Sequence, residues 1–235
     1  MGADMPPMLH ANPWAHLRFD PAAGGFVEKP NILPTPESLR AMSDRDFVVE
    51  TFRTDPIVAL DCLSRGISVG DVAPLEALAD ALGVPSDLRS GDIGTAAGDL
   101  LLAYGLQATL RVLDLVRSFL AGEGKRLMVM LSYSGPSVVD ALEDRPRFDQ
   151  VLLDDLSAHG DPVVDGLDAH VRDFADFSLS PSEYCDRYYN GHYTPRGNHF
   201  FAFAAKDAVV RWLDPAPKTY ADRGPHFDDT AATLA

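Results

Sequence analysis

One histidine, His192, stands where its side chain could act on a proton. It lies in the segment YYNGHYTPRGNHFFAFA, residues 188–204, just ahead of a Thr-Pro pair that opens a strongly apolar helix. Thr194 is a good helix cap and Pro195 a good first helical residue, so His192 falls beside the positive end of that helix. Such an end favours the neutral imidazole, and a neutral imidazole is what a general base must be. The alternative is that His192 only fixes a loop through hydrogen bonds.

The elements ahead of His192 alternate between helix and strand. From residue 99, leucine and valine side chains repeat at helical spacing until Gly122 and Gly124, which predicts a long helix. The apolar runs RLMVMLS (126–132) and DPVVDGL (161–167) predict two strands, and the helical segment between them makes a βαβ crossover. The sequence SPSE at 180–183 is a capping box that starts another helix. We therefore expect an α/β fold in this half.

The first third of the chain has a different pattern. The segments WAHLRFD and FVEK, separated by PAAGG, predict a short hairpin, and most of the segments after it predict helices. The polar, glycine-rich residues 85–99 predict a mobile loop. We expect residues 1–98 to be a hairpin and helical region that forms an insertion or cap on the same domain. Residues 99–215 would then be the α/β core and 216–235 a C-terminal tail.

The block around His192 resembles the last conserved block of the SGNH/GDSL hydrolases. In that family a histidine precedes the final helix in an H-x-x-P-x-G pattern, which His192, Pro195 and Gly197 match here. The order of helix, strand, crossover and strand over residues 99–215 is also similar to the closing half of that fold. The resemblance implies a three-layer sandwich with a mainly parallel sheet, incomplete in this chain. It also implies hydrolysis of small-molecule or carbohydrate esters, or of acetyl groups, by a serine that His192 deprotonates.

The family's nucleophile is not found at its usual place. Its Gly-Asp-Ser block follows an apolar strand, whereas Gly91-Asp92 is followed by Ile93 and preceded by no such strand. Ser132, Ser134 and Ser137 follow the strand RLMVMLS at the sheet edge, and Ser134 lies at a strand-to-helix turn, a place where nucleophiles occur. Ser134 is therefore the candidate nucleophile. Its alternative role is to cap the next helix, because Pro136 suits the start of that helix.

The acid that orients the histidine is also displaced. Tyr189 stands three residues before His192, where the resemblance places an acid. Asp186, six residues ahead, is one candidate orienting acid, if its helix turns back toward the histidine. Asp165 is the other, because it ends the second predicted strand at the carboxyl edge where ligands gather in open α/β sheets.

Composition limits the classes of partner. The 235 residues include 20 basic and 35 acidic side chains, for a formal charge of -15, which disfavours nucleic acid and anionic membrane surfaces as partners. Cys62 and Cys185 are isolated, so we expect neither a disulfide framework nor a zinc site, and no motif indicates another metal or a cofactor. We find neither a signal-peptide pattern nor a membrane span, and expect a cytoplasmic protein.

Two explanations fit a hydrolase pattern that lacks its serine block. The chain is either a piece of a longer hydrolase or a degenerate relative that keeps the architecture as a non-catalytic binding or assembly domain. A sheet without its first strand has an edge strand with unpaired backbone groups. A second copy of the chain could cover that edge, so a homo-oligomer is a candidate arrangement.

Overall fold

A computed structural model describes residues 14–214, and the chain divides into two compact units. Unit 1 comprises residues up to 127 together with 149–159, and unit 2 comprises residues 128–148 together with those from 160 onward. The sequence-based boundary at residue 98 falls inside the longest helix of unit 1. The expected tail, residues 216–235, lies outside the described part of the chain.

Unit 1 is a hairpin followed by helices. Strands β1 (His16–Asp20) and β2 (Gly25–Lys29) pair antiparallel, which confirms the predicted hairpin. A 3-10 helix (Ser38–Ser43) precedes the α-helices of this unit, which are α1 (Arg45–Phe52), α2 (Pro56–Ser64), α3 (Ala73–Leu82), α4 (Ile93–Gly122) and, later in the chain, α6 (Gln150–His159).

The core of unit 1 lies between α2, α3 and the first half of α4. Leu60 and Leu100 are fully buried there. Tyr104 of α4 joins the hairpin to this core, because its hydroxyl accepts the Phe19 N–H at 3.0 Å and its ring meets Phe26 edge to face.

The predicted loop at residues 85–99 is partly wrong, because α4 begins at Ile93. The Asp92 side chain accepts the Thr95 N–H at 3.0 Å and so caps the helix. An aspartate cap lets a helix start inside a glycine-containing segment, since it satisfies an otherwise unpaired N–H group of the first turn.

Unit 2 contains one βαβ arrangement and a closing group of helices. Its elements are β3 (Val129–Leu131), α5 (Gly135–Leu142), β4 (Val163–Asp165), α7 (Gly166–Phe174), α8 (Pro181–Tyr188), β5 (Tyr189–Asn190), β6 (His192–Tyr193) and α9 (Pro195–Leu213). Strands β3 and β4 pair in parallel, as their apolar runs predict. The capping box of Ser180 and Glu183 at the start of α8 is confirmed, and so is the Thr194 cap of α9.

The expected three-layer sandwich with a mainly parallel sheet is wrong. The structure is about 58% helical. Within residues 14–214 the strands form only two-stranded pairs, β1–β2, β3–β4 and β5–β6. The two predicted strands supply a single parallel pair, and most other apolar residues of the second half lie in helices, where they repeat at helical spacing. Among residues 14–214, no helix has the length and apolarity needed to cross a bilayer.

Candidate functional site

A tight hairpin and the start of α9 hold His192 in place. Strands β5 and β6 pair Asn190 with His192 across Gly191, whose φ of 72° lies in the left-handed region that glycine adopts without strain. The Thr194 N–H donates to the Tyr188 carbonyl at 2.8 Å, which ties the hairpin back to the end of α8. The Thr194 hydroxyl accepts the Gly197 N–H and donates to the same carbonyl. These contacts position the backbone on both sides of His192.

Gly197, the glycine of the H-x-x-P-x-G pattern, is required by packing. A Cβ atom at this position would lie 2.3 Å from the Tyr188 carbonyl oxygen and 2.5 Å from Cδ1 of Tyr193. Both distances are well inside van der Waals contact, so a larger residue would push α9 away from the hairpin. The glycine therefore serves the close approach of α9 to β5 and β6.

His192 lies on the rim of a cavity of about 420 Å³. The cavity is lined by Ser132, Tyr133, Ser134, Tyr189, Gly191, His192, Tyr193 and Asn198. The residue is exposed, and among the described residues its ring makes no hydrogen bond or ion pair. The structure therefore brings the predicted histidine and the predicted serine to one cavity.

Ser134 is the N-cap of α5, as the alternative interpretation predicts. Its hydroxyl accepts the Ser137 N–H at 3.4 Å and lies 2.9 Å from the Ser137 hydroxyl. Ser132, two residues earlier, lines the same cavity, and its hydroxyl makes no hydrogen bond within residues 14–214. The sequence favours Ser134 because it lies at the strand-to-helix turn, and that position is also where the helix needs its cap. Of these two serines, Ser132 is the one whose hydroxyl does not cap a helix.

Asp165 is committed to other partners. One carboxylate oxygen accepts the Leu167 N–H at 2.9 Å and so caps α7. The other accepts from the Arg147 guanidinium at 2.6 Å, and Arg147 also donates to the Tyr133 hydroxyl at 2.6 Å. Arg147 links Asp165 to Tyr133 in the cavity wall, and no hydrogen bond joins Asp165 to His192. Its structural contribution is to fix Tyr133.

Asp186 lies on the exposed side of α8, apart from His192. It lines a neighbouring cavity of about 590 Å³, which shares Ser134, Tyr189 and Gly191 with the first cavity but does not include His192. Neither predicted acid is therefore placed to orient the imidazole. Cys185, on the same helix, is buried and donates to the Gly135 carbonyl, and burial raises the pKa of its thiol.

The sequence interpretation misses a second histidine, His170, which lies behind the cavity wall. Its side chain is 1% exposed, and its ring stacks on Phe200 with the centroids 4.3 Å apart. Nδ1 lies 3.0 Å from the Tyr184 hydroxyl and Nε2 lies 3.1 Å from the Tyr189 hydroxyl. Burial lowers the pKa of His170 to about 4, against the opposing charge of Asp173, so the ring is neutral at pH 7.

The hydrogen-bond partners assign the direction of each bond around His170. A carboxylate has no proton to donate, so the Tyr184 hydroxyl donates to Asp173 Oδ2 at 2.9 Å. Its oxygen must then accept from Nδ1–H of His170, which leaves Nε2 as the acceptor for the Tyr189 hydroxyl. The result is one chain of hydrogen bonds from Tyr189 to Asp173. Burial raises the pKa of Tyr189 and Tyr184, which keeps both phenols protonated.

The tyrosine spacing is a sequence signal for this chain of hydrogen bonds. Tyr184 and Tyr188 are four residues apart on one face of α8, and both hydroxyls donate to Asp173. Buried tyrosine hydroxyls need polar partners, so a helix with two inward tyrosines indicates a polar group inside the core. His170 and Asp173 of α7 are those groups.

Residues 14–214 contain no group of three or more histidine, cysteine or acidic side chains arranged to hold a metal ion. Comparisons with protein-family models, with curated proteins and with solved structures found no match to this chain. A function for unit 2 must therefore follow from the chemistry of its own residues.

Proposed function

We propose that unit 2 carries a hydrolytic site for ester or acetyl groups, with His192 as the general base and a serine of the segment 132–134 as the nucleophile. The proposal is supported by one cavity that is lined by His192, Ser132 and Ser134. Ser132 is the preferred nucleophile because its hydroxyl is not used in capping. The resemblance of residues 190–204 to the histidine block of the SGNH/GDSL hydrolases points to the same chemistry.

The reaction assigns each cavity residue a role. His192 accepts the serine proton as the serine oxygen attacks the carbonyl carbon, and the side-chain amide of Asn198 donates to the oxyanion that forms. The imidazolium then returns the proton to the leaving alcohol, and water repeats the sequence on the acyl-serine. General-base assistance contributes about 10² to 10⁴ in rate, and one oxyanion donor about 10² to 10³.

Turnover by this site is expected to be slow. No carboxylate within the described residues accepts a hydrogen bond from His192, and loss of the orienting acid lowers kcat about 10⁴-fold in a serine–histidine site. The same observation, together with the capping role of Ser134, favours a second candidate function. In that case the cavity binds a small molecule or carbohydrate without reaction, using the aromatic faces of Tyr133, Tyr189 and Tyr193.

Hydrolysis of p-nitrophenyl acetate by the full chain tests the catalytic proposal. We expect His192→Ala and Ser132→Ala each to lower kcat/KM by about 100-fold or more. The matched controls are His199→Ala, an exposed histidine on α9 that contacts Phe203, and Ser118→Ala, an exposed serine on α4. Both controls should keep the wild-type rate. Mass spectrometry after rapid acid quench should find the acetyl group on the peptide that contains Ser132.

The outcomes separate the two functions. Product release that is unchanged by His192→Ala removes His192 from any mechanism and overturns the hydrolase proposal. Absence of wild-type turnover, combined with chemical-shift changes of Tyr189 and Tyr193 on addition of an acetylated sugar, supports the binding domain instead. An acetyl group found on Ser134 would transfer the nucleophilic role to that residue.

A further inference from the structure

Unit 1 contains a separate cavity of about 550 Å³ between the hairpin, the turn that follows α1, and the helices α2 and α3. Its wall is mainly apolar, with Phe19 from β1, Ala59 from α2, Val69 from the following loop, and Leu75 and Leu78 from α3. Leu75 and Leu78 also belong to the buried core, so this wall is held in place by packing. A cavity of this size and composition is typical of sites for small apolar ligands.

A cationic group lies on the rim of this apolar wall. Arg53 follows α1 and is exposed, and among the described residues no carboxylate pairs with its guanidinium. The other arginine in the wall, Arg18, is neutralised by an ion pair with the buried Asp55. The carboxylate of Asp71, also on the rim, accepts the Ala73 N–H at 3.0 Å at the start of α3. Asp71 keeps its negative charge in this cap, so Arg53 is the cation of the cavity lining that no carboxylate of the described residues pairs.

We propose that this cavity binds an amphiphilic monocarboxylate, with the apolar chain against Phe19, Leu75 and Leu78 and the carboxylate on Arg53. The planar guanidinium suits a carboxylate, because it can donate two parallel hydrogen bonds to the two oxygens. The hydroxyl of Thr54, next to Arg53 on the same rim, is a further donor. The site lies in unit 1 and is independent of the function proposed for unit 2.

Calorimetric titration of the full chain with decanoate, below its micelle concentration, tests the proposal. The neutral 1-decanol and the cationic decyltrimethylammonium carry the same chain with a different head group. We expect decanoate to bind at least about tenfold more tightly than either, because a charge-assisted hydrogen bond is worth about a factor of ten or more. Equal affinity for decanoate and 1-decanol would overturn the assignment of Arg53.

Variants then test the location. Arg53→Gln should weaken decanoate binding about tenfold or more and leave 1-decanol unaffected, whereas Arg111→Gln, at an exposed arginine of α4 outside the cavity, should change neither. Ala59→Phe should fill the cavity and remove binding of both ligands while the far-ultraviolet circular dichroism stays unchanged. Arg53 is exposed, so its substitution does not threaten the fold. Equal effects of Arg53→Gln and Arg111→Gln would overturn the site.

Discussion

Acidification from pH 7 to pH 4 is expected to destabilise unit 2, because His170 takes up a proton in the unfolded chain more readily than in the folded one. In the folded state the ring is enclosed by α7, α8, the β5–β6 hairpin and α9. Its charged and titratable neighbours are Asp173, Tyr184, Tyr188, Tyr189 and Tyr193. Phenols keep their protons throughout this pH range.

The magnitude follows from the two pKa values of His170. The ordinary value of 6.5 applies to the unfolded chain and a value of about 4 to the folded chain. Each pKa unit is equivalent to about 1.4 kcal/mol, so the free energy of unfolding falls by about 3 kcal/mol in total. Because the folded pKa is the lower one, this contribution is fully present above pH 6.5. It is lost progressively between pH 6.5 and pH 4.

Urea denaturation at a series of pH values, followed by the near-ultraviolet circular dichroism of the tyrosines, measures this change. Carboxylates also titrate as the pH falls, so the variant His170→Phe is needed to isolate the histidine. The variant loses the acceptor of the Tyr189 hydroxyl, which costs about 1–3 kcal/mol at pH 7. It has no imidazole to protonate, so the stability of the wild type relative to the variant should fall by about 3 kcal/mol from pH 7 to pH 4, which makes the variant at least as stable as the wild type at pH 4.

His199→Phe, the same substitution at an exposed histidine, should keep the full pH dependence of the wild type. A stability difference between wild type and His170→Phe that stays constant from pH 7 to pH 4 would refute the reasoning. It would mean that His170 titrates alike in the folded and unfolded chains.

Three further predictions concern packing. Gly197→Ala should destabilise unit 2 by about 1–3 kcal/mol, because its Cβ would meet the Tyr188 carbonyl. Gly105 lies in the exposed middle of α4 with open space around it, so Gly105→Ala should stabilise unit 1 by about 0.5–1 kcal/mol. Urea denaturation gives both values, and a neutral Gly197→Ala would show that α9 moves away freely. Leu60→Ala, at a fully buried position, should cost unit 1 about 2–5 kcal/mol in the same measurement, and a loss below about 1 kcal/mol would mean that the core collapses around the missing side chain.

Local sequence signals predict individual elements well. The hairpin, the two parallel strands, the Ser180 capping box and the Thr194 cap depend on side chains within a few residues of each other, and all are present. The sequence pattern places the start of α4 too late, because a single aspartate, Asp92, outweighs the glycines that come after it. The sheet is overestimated for a different reason. How many strands pair depends on the whole chain, and a motif at one end does not determine it.

The candidate site illustrates why residue type alone is ambiguous at strand ends. The turn after a strand is where an α/β fold places catalytic groups, and it is also where the next helix needs a cap. Ser134 and Asp165 are both candidates because of their position, and both cap a helix. His170 gives no local signal, because its importance comes from tyrosines fourteen to nineteen residues further along the chain. Such long-range hydrogen bonding is visible only once the helices are packed.

The turn at Gly191 also bears on how the proposed site would bind a ligand. With Asn190 paired across the strand and Thr194 anchored to α8, the main chain at this histidine has little freedom left to lose. A molecule that binds in the cavity would restrict only the two side-chain torsions of His192, at an entropic cost of about 0.5–1.5 kcal/mol. Binding at this site should therefore need little rearrangement of the surrounding loop, and the association rate constant should be high.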